Sequence, residues 1–264
     1  MILSGSYNFF NGEEHLVASL RSVRGSFEHI SLVWQGVSNS GVAISPSALE
    51  ALSTARNLGL VDDFIEYMPD LSLPRRVNEL AKRKLGLSAA RRVRATHFMT
   101  LDADEFYREG EMLAARKFVL ENRITSSSVG SFMHVARPQY RTQDLTNCAF
   151  ITKITPFTRL GSKKRYPVAH VDSTRKIAVW PRRHHHFPVQ EVAMFHMNLV
   201  RYDLENKLGN SSTTQTDFLD KVRSAVAAWK PGELLEFPGK GMLAFETVEN
   251  EFETWDPGIQ ALSR

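Results

Sequence analysis

The chain of 264 residues holds a single cysteine, Cys148, which excludes an internal disulfide framework and a cysteine-built zinc site. A lone thiol of this kind reads as small apolar packing. Long apolar runs are missing too. The longest stretch free of Asp, Glu, Lys and Arg, from His29 to Leu49, is broken by Gln35, Asn39, Pro46 and several serines, so no segment suits a bilayer span. The start lacks a basic region followed by an apolar run, so no secretory signal is expected. A large charge excess is also absent. With 33 Lys+Arg against 29 Asp+Glu, the net charge of +4 is too mild to mark a nucleic-acid binder. The hydrophobic share of 42% and charged share of 23% are ordinary for a globular chain and set aside disordered, collagen-like and coiled-coil readings. The sequence is expected to be soluble and cytoplasmic, with no nucleic-acid partner and no transmembrane segment; peripheral membrane contact stays open.

What is present is alternation. Residues 2–7 and 30–35 are runs of buried-strand character, and Leu16, Val17, Leu20 and Val23 between them repeat at helical spacing, with Asn11 placed to cap that helix. This is a strand–helix–strand unit of a parallel sheet. A short helix over 47–58, a strand at 64–68, a helix over 75–94 behind Pro74 and a strand at 96–101 continue the pattern. The second half reads as mixed: a helix at 110–122, strand-like runs at 129–136, 149–154, 167–171 and 176–180, then helices at 198–208 and 216–229. The tail after Lys230 reads as irregular wrapping. The expected fold class is α/β, a Rossmann-like doubly wound mixed sheet in one compact domain.

The segment with most chemistry is Phe98-Met99-Thr100-Leu101-Asp102-Ala103-Asp104-Glu105-Phe106. An apolar strand delivers carboxylates at its carboxyl end, the edge where open α/β sheets bind ligands. Asp102 and Asp104 lie two apart, on one side of extended backbone. Paired carboxylates repel unless a cation or a proton neutralises them, and hard oxygen ligands suit Mg²⁺ or Mn²⁺. An acidic turn that caps the next helix is the plainer alternative.

This stretch resembles the DxD motif of GT-A fold glycosyltransferases, in particular family 2-like enzymes. The run Ser4-Gly5-Ser6-Tyr7-Asn8-Phe9-Phe10-Asn11-Gly12-Glu13-Glu14 is similar to that family's first strand and loop. Lys82-Arg83-Lys84-Leu85-Gly86-Leu87-Ser88-Ala89-Ala90 is similar to its Arg-Asn-x-Gly-x-x-x-Ala helix, with Lys84 where the family has Asn. The likeness covers residues 2–107 well and the remainder weakly. It implies a GT-A-like domain over 1–264, with 1–107 as the nucleotide-sugar half and 108–264 as the acceptor-side half. It further implies metal ligation by Asp102 and Asp104, and donor contacts from Ser6, Tyr7, Asn8, Arg83 and Asp102. Gln35 stands where many relatives carry an acid that helps read the base. His196, with Lys207 in the helix expected after it, resembles a late element that supplies a further metal or diphosphate contact. The implied activity is transfer of a sugar from a nucleotide-sugar, a UDP-sugar first, to a glycan, lipid or protein acceptor, with Mn²⁺ or Mg²⁺ acting on the leaving diphosphate.

An inverting enzyme of this kind needs a carboxylate base near the acceptor hydroxyl. Glu191, five residues before His196, ranks first and Asp172 second. The helix over 75–94 carries eight basic residues; only Arg83 is taken as a donor contact and the others as a solvated face. The run His184-His185-His186 reads mainly as a strand edge. Two alternatives stay open: a phosphohydrolase built on Asp102 and Asp104, and a nucleotide- or glycan-binding module without catalysis.

Overall fold

The alternation of the first hundred residues becomes a parallel β/α arrangement in the computed structural model, which describes residues 1–161, 166–210 and 215–258. In chain order come β1 (Leu3–Phe9), α1 (Glu13–Arg24), β2 (His29–Trp34), α2 (Pro46–Asn57), β3 (Asp63–Glu66), α3 (Arg75–Arg92) and β4 (His97–Asp102). Then follow β5 (Glu105–Phe106), α4 (Glu109–Glu121), β6 (Ser126–Val135), β7 (Arg137–Lys153), β8 (Arg159–Leu160), β9 (Ile177–Ala178), β10 (His184–Phe187) and β11 (Ala193–Leu199). The chain ends with α5 (Leu204–Gly209), α6 (Thr216–Ala228), β12 (Leu235–Phe237), β13 (Gly241–Leu243) and β14 (Glu246–Thr247).

The main sheet runs β3-β2-β1-β4-β7-β6-β11-β5, with β10 also on β6 and β14 on β7. β1 to β4 pair in parallel, β4 meets β7 antiparallel, and β11 returns parallel to β6. This mixed α/β sheet in a single compact domain is the Rossmann-like arrangement expected of a GT-A fold. On one face, Leu16 and Leu20 of α1, Leu52 of α2 and Met112 of α4 pack with Tyr7, Met99 and Phe150 of the strands. On the other, α3 and the β8–β9 ribbon close over Phe98 through Leu87, Ala90, Leu160 and Ile177. A satellite core of α6 and the β12–β13 hairpin covers Met133 and Val135 at the far end of β6.

Several boundaries differ from the sequence reading. α1 is not capped by Asn11; Gly12 enters it at φ 91°, a left-handed conformation that glycine tolerates. β7 is seventeen residues long rather than a strand at 149–154. Its first half is mostly polar and has Pro138 as its second residue, yet it stays paired to β6 through three register shifts. The run 167–171 makes only a bridge, Asn147 to Val171. The helix expected from 198 starts at Leu204, because Asn198 and Leu199 complete β11 and Asp203 caps α5 by accepting from Asn206 N at 2.9 Å. The tail is not wholly irregular, since it forms β12, β13 and β14.

Candidate active site

β1, β2 and β4 end together, and their carboxyl ends open into a cleft of about 250 Å³. Asn8 from β1, Gln35 just after β2 and Asp102 at the end of β4 line it. Ala103 and Asp104 follow Asp102, and Glu79 and Lys82 come from α3. The second half contributes Asp172, then His196 and Asn198 from β11, Arg201 after it, and Lys207 and Asn210 at α5. Both halves of the chain therefore build one wall each.

α3 reaches this position because Gly86 allows it. A Cβ there would lie 1.8 Å from Ser6 Oγ, so only glycine lets the helix settle this close to β1. One turn earlier, Lys82 and Arg83 are carried under the strand ends, 6% and 1% exposed. Arg83 Nη2 donates to Glu79 Oε1 at 2.9 Å and to Asp102 Oδ2 at 3.1 Å. Arg175, also buried, stands 3.2 Å from the same Asp102 oxygen and donates to Glu105 Oε2 at 2.7 Å and Cys148 Sγ at 2.7 Å. Burial alone raises the Asp102 carboxyl, but Arg175 and Arg83 overcome it and bring the group down to about 2. Asp102 Oδ1 is left without a hydrogen bond from any described residue.

Asp104 is held in the same manner from the other side. Lys207 Nζ lies 3.0 Å from Oδ2, and Arg201 Nη2 bonds the same oxygen. Against the penalty of burial, Lys207 and Arg201 keep this carboxyl well below the usual carboxylate range. Gly12 serves this contact as well, since a Cβ on it would come within 2.6 Å of Arg201 Nη1. Asp104 Oδ1 faces His196 Nε2 at 3.7 Å, too long for a hydrogen bond. Two ligands of one first-row or magnesium ion, each about 2.1 Å from it, sit roughly 3 to 4 Å apart.

Among the described residues, no three His, Cys, Asp or Glu side chains converge into a ready-made metal cage. The donor set nonetheless fits a divalent cation that takes few protein ligands. Asp104, His196 and Asp102 all line the cleft, and two carboxylates with an imidazole suit Mg²⁺ or Mn²⁺ completed by ligand phosphates.

Lys82 is the group that the sequence reading passed over. Its ammonium lines the cleft, is buried, and has no ion-pair or hydrogen-bond partner among the described residues. Burial pushes it down to about 8. Polar atoms without partners also face the cleft: both amide atoms of Asn8, Gln35 Oε1 and Asn198 Oδ1. Gln35 Nε2 is already committed, donating to Val37 O at 2.7 Å. Such unpaired buried groups mark a place where a polar ligand completes the hydrogen bonding.

No family model matches the chain, and no curated protein matches it. Among solved structures it is similar to S. aureus TarS, at 14% identity over 51% of this chain and 22% of that one, with a TM-score of 0.35. The fragment 1–349 of TarS shows 16% identity over 51% and 36% of the two chains, with a TM-score of 0.36. The same fragment in complex with UDP-GlcNAc shows 14% identity over 51% and 35%, at 0.33. The chain thus spans only a fifth to about a third of the length of these neighbours.

Of the residues singled out in the sequence, Asn8, Gln35, Asp102, Asp104, His196 and Lys207 come together in the cleft. Ser6 and Tyr7 do not. β1 alternates, so Ser6 packs under Gly86 and Tyr7 turns to the opposite face, where its hydroxyl meets Ser19 Oγ at 3.0 Å. Arg83 lies behind the cleft, its guanidinium engaged by Asp102 and Glu79. Glu191 is outside as well. It sits in the exposed turn that leads into β11, five residues before His196 at about 3.3 Å of rise each. Asp172, the second of the two carboxylates named from the sequence, does line the cleft. Thr174 N donates to its Oδ1 at 2.7 Å, and its other oxygen takes no hydrogen bond from any described residue.

Proposed function

We propose that the chain is a glycosyltransferase of GT-A type that binds a nucleoside-diphosphate sugar in this cleft, together with Mg²⁺ or Mn²⁺. The observation that carries the reading is Lys82: a buried, unpartnered ammonium beside a carboxylate–imidazole pair calls for an anion that also brings a metal. A nucleotide diphosphate meets both demands. The unpartnered Gln35 Oε1 suits the N3–H donor of uracil, which favours a UDP-sugar. Asp104 and His196, with Asp102, would hold a divalent ion, which would supply Lewis-acid stabilisation of the departing diphosphate.

The chain's own residues do the rest. Lys82 and Lys207 place positive charge on the diphosphate, where charge grows as the glycosidic bond breaks. Arg83 and Arg175 fix the Asp102 carboxylate, and Arg201 fixes Asp104, so neither has to reorganise. Asp172, at the rim, accepts the proton of the acceptor hydroxyl as it attacks. The acceptor is a glycan, lipid or protein hydroxyl reaching the cleft from the Asp172 side.

The test is release of UDP from a panel of UDP-sugars, with Mn²⁺ or Mg²⁺, by the wild-type chain and by Lys82→Met. The expected result is divalent-dependent UDP release that Lys82→Met loses. Phosphate release from phosphomonoesters without UDP release would instead assign a phosphohydrolase. UDP binding without turnover on any sugar or acceptor would leave a binding module.

A further inference from the structure

At the end of the sheet opposite the cleft, the chain builds a surface that the proposed transfer does not use. We propose that this end is a docking surface for an anionic lipid bilayer. The 46 residues from 145 to 190 hold nine Lys and Arg against one acid, Asp172, which belongs to the cleft. The fold gathers part of this charge at the amino end of β4. Lys153 pairs with His97 across β4 and β7, and Ile154 N bonds Thr96 O at 2.8 Å. Arg91 Nη2 donates to Thr158 O at 2.7 Å, and Thr125 N bonds Arg183 O at 2.9 Å, which ties the strand end to the β8–β9 ribbon.

Arg94, Lys153, Arg159 and Arg183 are exposed here and make no ion pair among the described residues. Of the acids at the same end, Glu28, Asp62 and Asp63 are already paired with Arg116, Arg24 and Arg92; Glu109, against Gly25, has no ion pair among the described residues. Large apolar side chains stand among these cations. Phe157 and Trp180, 62% and 69% exposed, flank the ribbon where Arg159 pairs with Ala178 and would be cross-strand neighbours in the same register. Ile2 and Val93 are exposed beside them on the loops around Thr96.

Tryptophan and phenylalanine ringed by Lys and Arg match the interfacial region of a bilayer, where the rings enter the headgroup level and each cation adds attraction to anionic lipid. The aliphatic Ile2 and Val93 favour hydrocarbon over nucleic acid, which recruits aromatic stacking rather than aliphatic contact. A second copy of the chain is disfavoured because the two patches would bring like charges together. Docking at this end leaves the cleft, about 20 Å away along six residues of β4, clear of the lipid. The inference stands apart from the sugar-transfer reading, since no cleft residue takes part.

The test is co-sedimentation of the full chain with vesicles of phosphatidylcholine alone or with added phosphatidylglycerol. Binding is expected only to the anionic vesicles, and to weaken as salt rises. Trp180→Ser and Phe157→Ser should each reduce partitioning while unfolding temperature stays unchanged. Arg159→Gln combined with Arg183→Gln should reduce it about 30-fold, from about 1 kcal/mol per cation. No partitioning to anionic vesicles, or equal partitioning by these variants, overturns the proposal. Tight binding of a single-stranded oligonucleotide without vesicle binding also overturns it and assigns the patch to nucleic acid.

Discussion

A buried ammonium without an ion-pair partner is costly, and Lys82 bears that cost inside a cleft, offset only in part by the Glu79 and Asp102 carboxylates beyond ion-pair distance. Burial brings it to about 8, below the ordinary lysine range. An anionic ligand binds the charged form. Affinity for UDP should therefore be full below pH 8 and fall about tenfold per unit above it, because the free chain must then take up a proton to bind. Titrations between pH 7 and 9.5 check this, and Lys82→Arg should remove the limb, since a guanidinium stays charged throughout. His196 offers a second residue-scale prediction. Its ring makes no hydrogen bond within 3.5 Å among the described residues and stands 3.7 Å from Asp104 Oδ1, so His196→Gln should weaken the divalent-ion requirement while stability stays within about 0.5 kcal/mol. Asp104→Asn is the poorer probe, because it also unpairs Arg201 and Lys207. The strand-end carboxylates and His196 were legible because an apolar run points at them. Lys82 was not, although it lies four residues before Gly86 and so shares the helix face that approaches the sheet. Sequence proximity to His196 ranks Glu191 first, and the structure puts Glu191 in the exposed turn before β11 while Asp172 lines the cleft.

At the scale of elements, α3 decides the geometry. Its buried side is Asn78, Lys82, Arg83, Gly86, Leu87, Ala89 and Ala90, with Leu87 the one large apolar side chain, so its charge content reads as a solvated helix. Gly86→Ala should cost about 1–3 kcal/mol, because the added methyl meets Ser6 in a packed interface. Chemical denaturation measures the cost, and UDP affinity should fall in the same variant as Lys82 is displaced. The strands and helices of the first hundred residues follow from period-2 and period-3.6 patterning and differ from it by a few residues at their ends. β7 hides its first half, since Arg137 to Asn147 is polar on both faces and shifts register against β6. Pairing there is set by the partner strand, which no local pattern announces.

Across the whole molecule, ion pairs join the two halves at the cleft. Arg175 reaches from the second half to Asp102 and Glu105, and Arg201 and Lys207 reach to Asp104. Arg175→Met would strand Glu105 and half-free Asp102 in a buried setting, at a cost of about 3–5 kcal/mol. Thermal unfolding at pH 7 reads that loss. In the proposed function this junction receives a nucleoside diphosphate on Lys82. Calorimetric titration of UDP with Mg²⁺ into wild-type and Lys82→Met chains at pH 7 tests it most directly. Binding should weaken about 10- to 100-fold in Lys82→Met, the value of one charge-assisted contact, with the unfolding temperature not lowered. A Lys82→Met isotherm that overlays the wild-type one would contradict it.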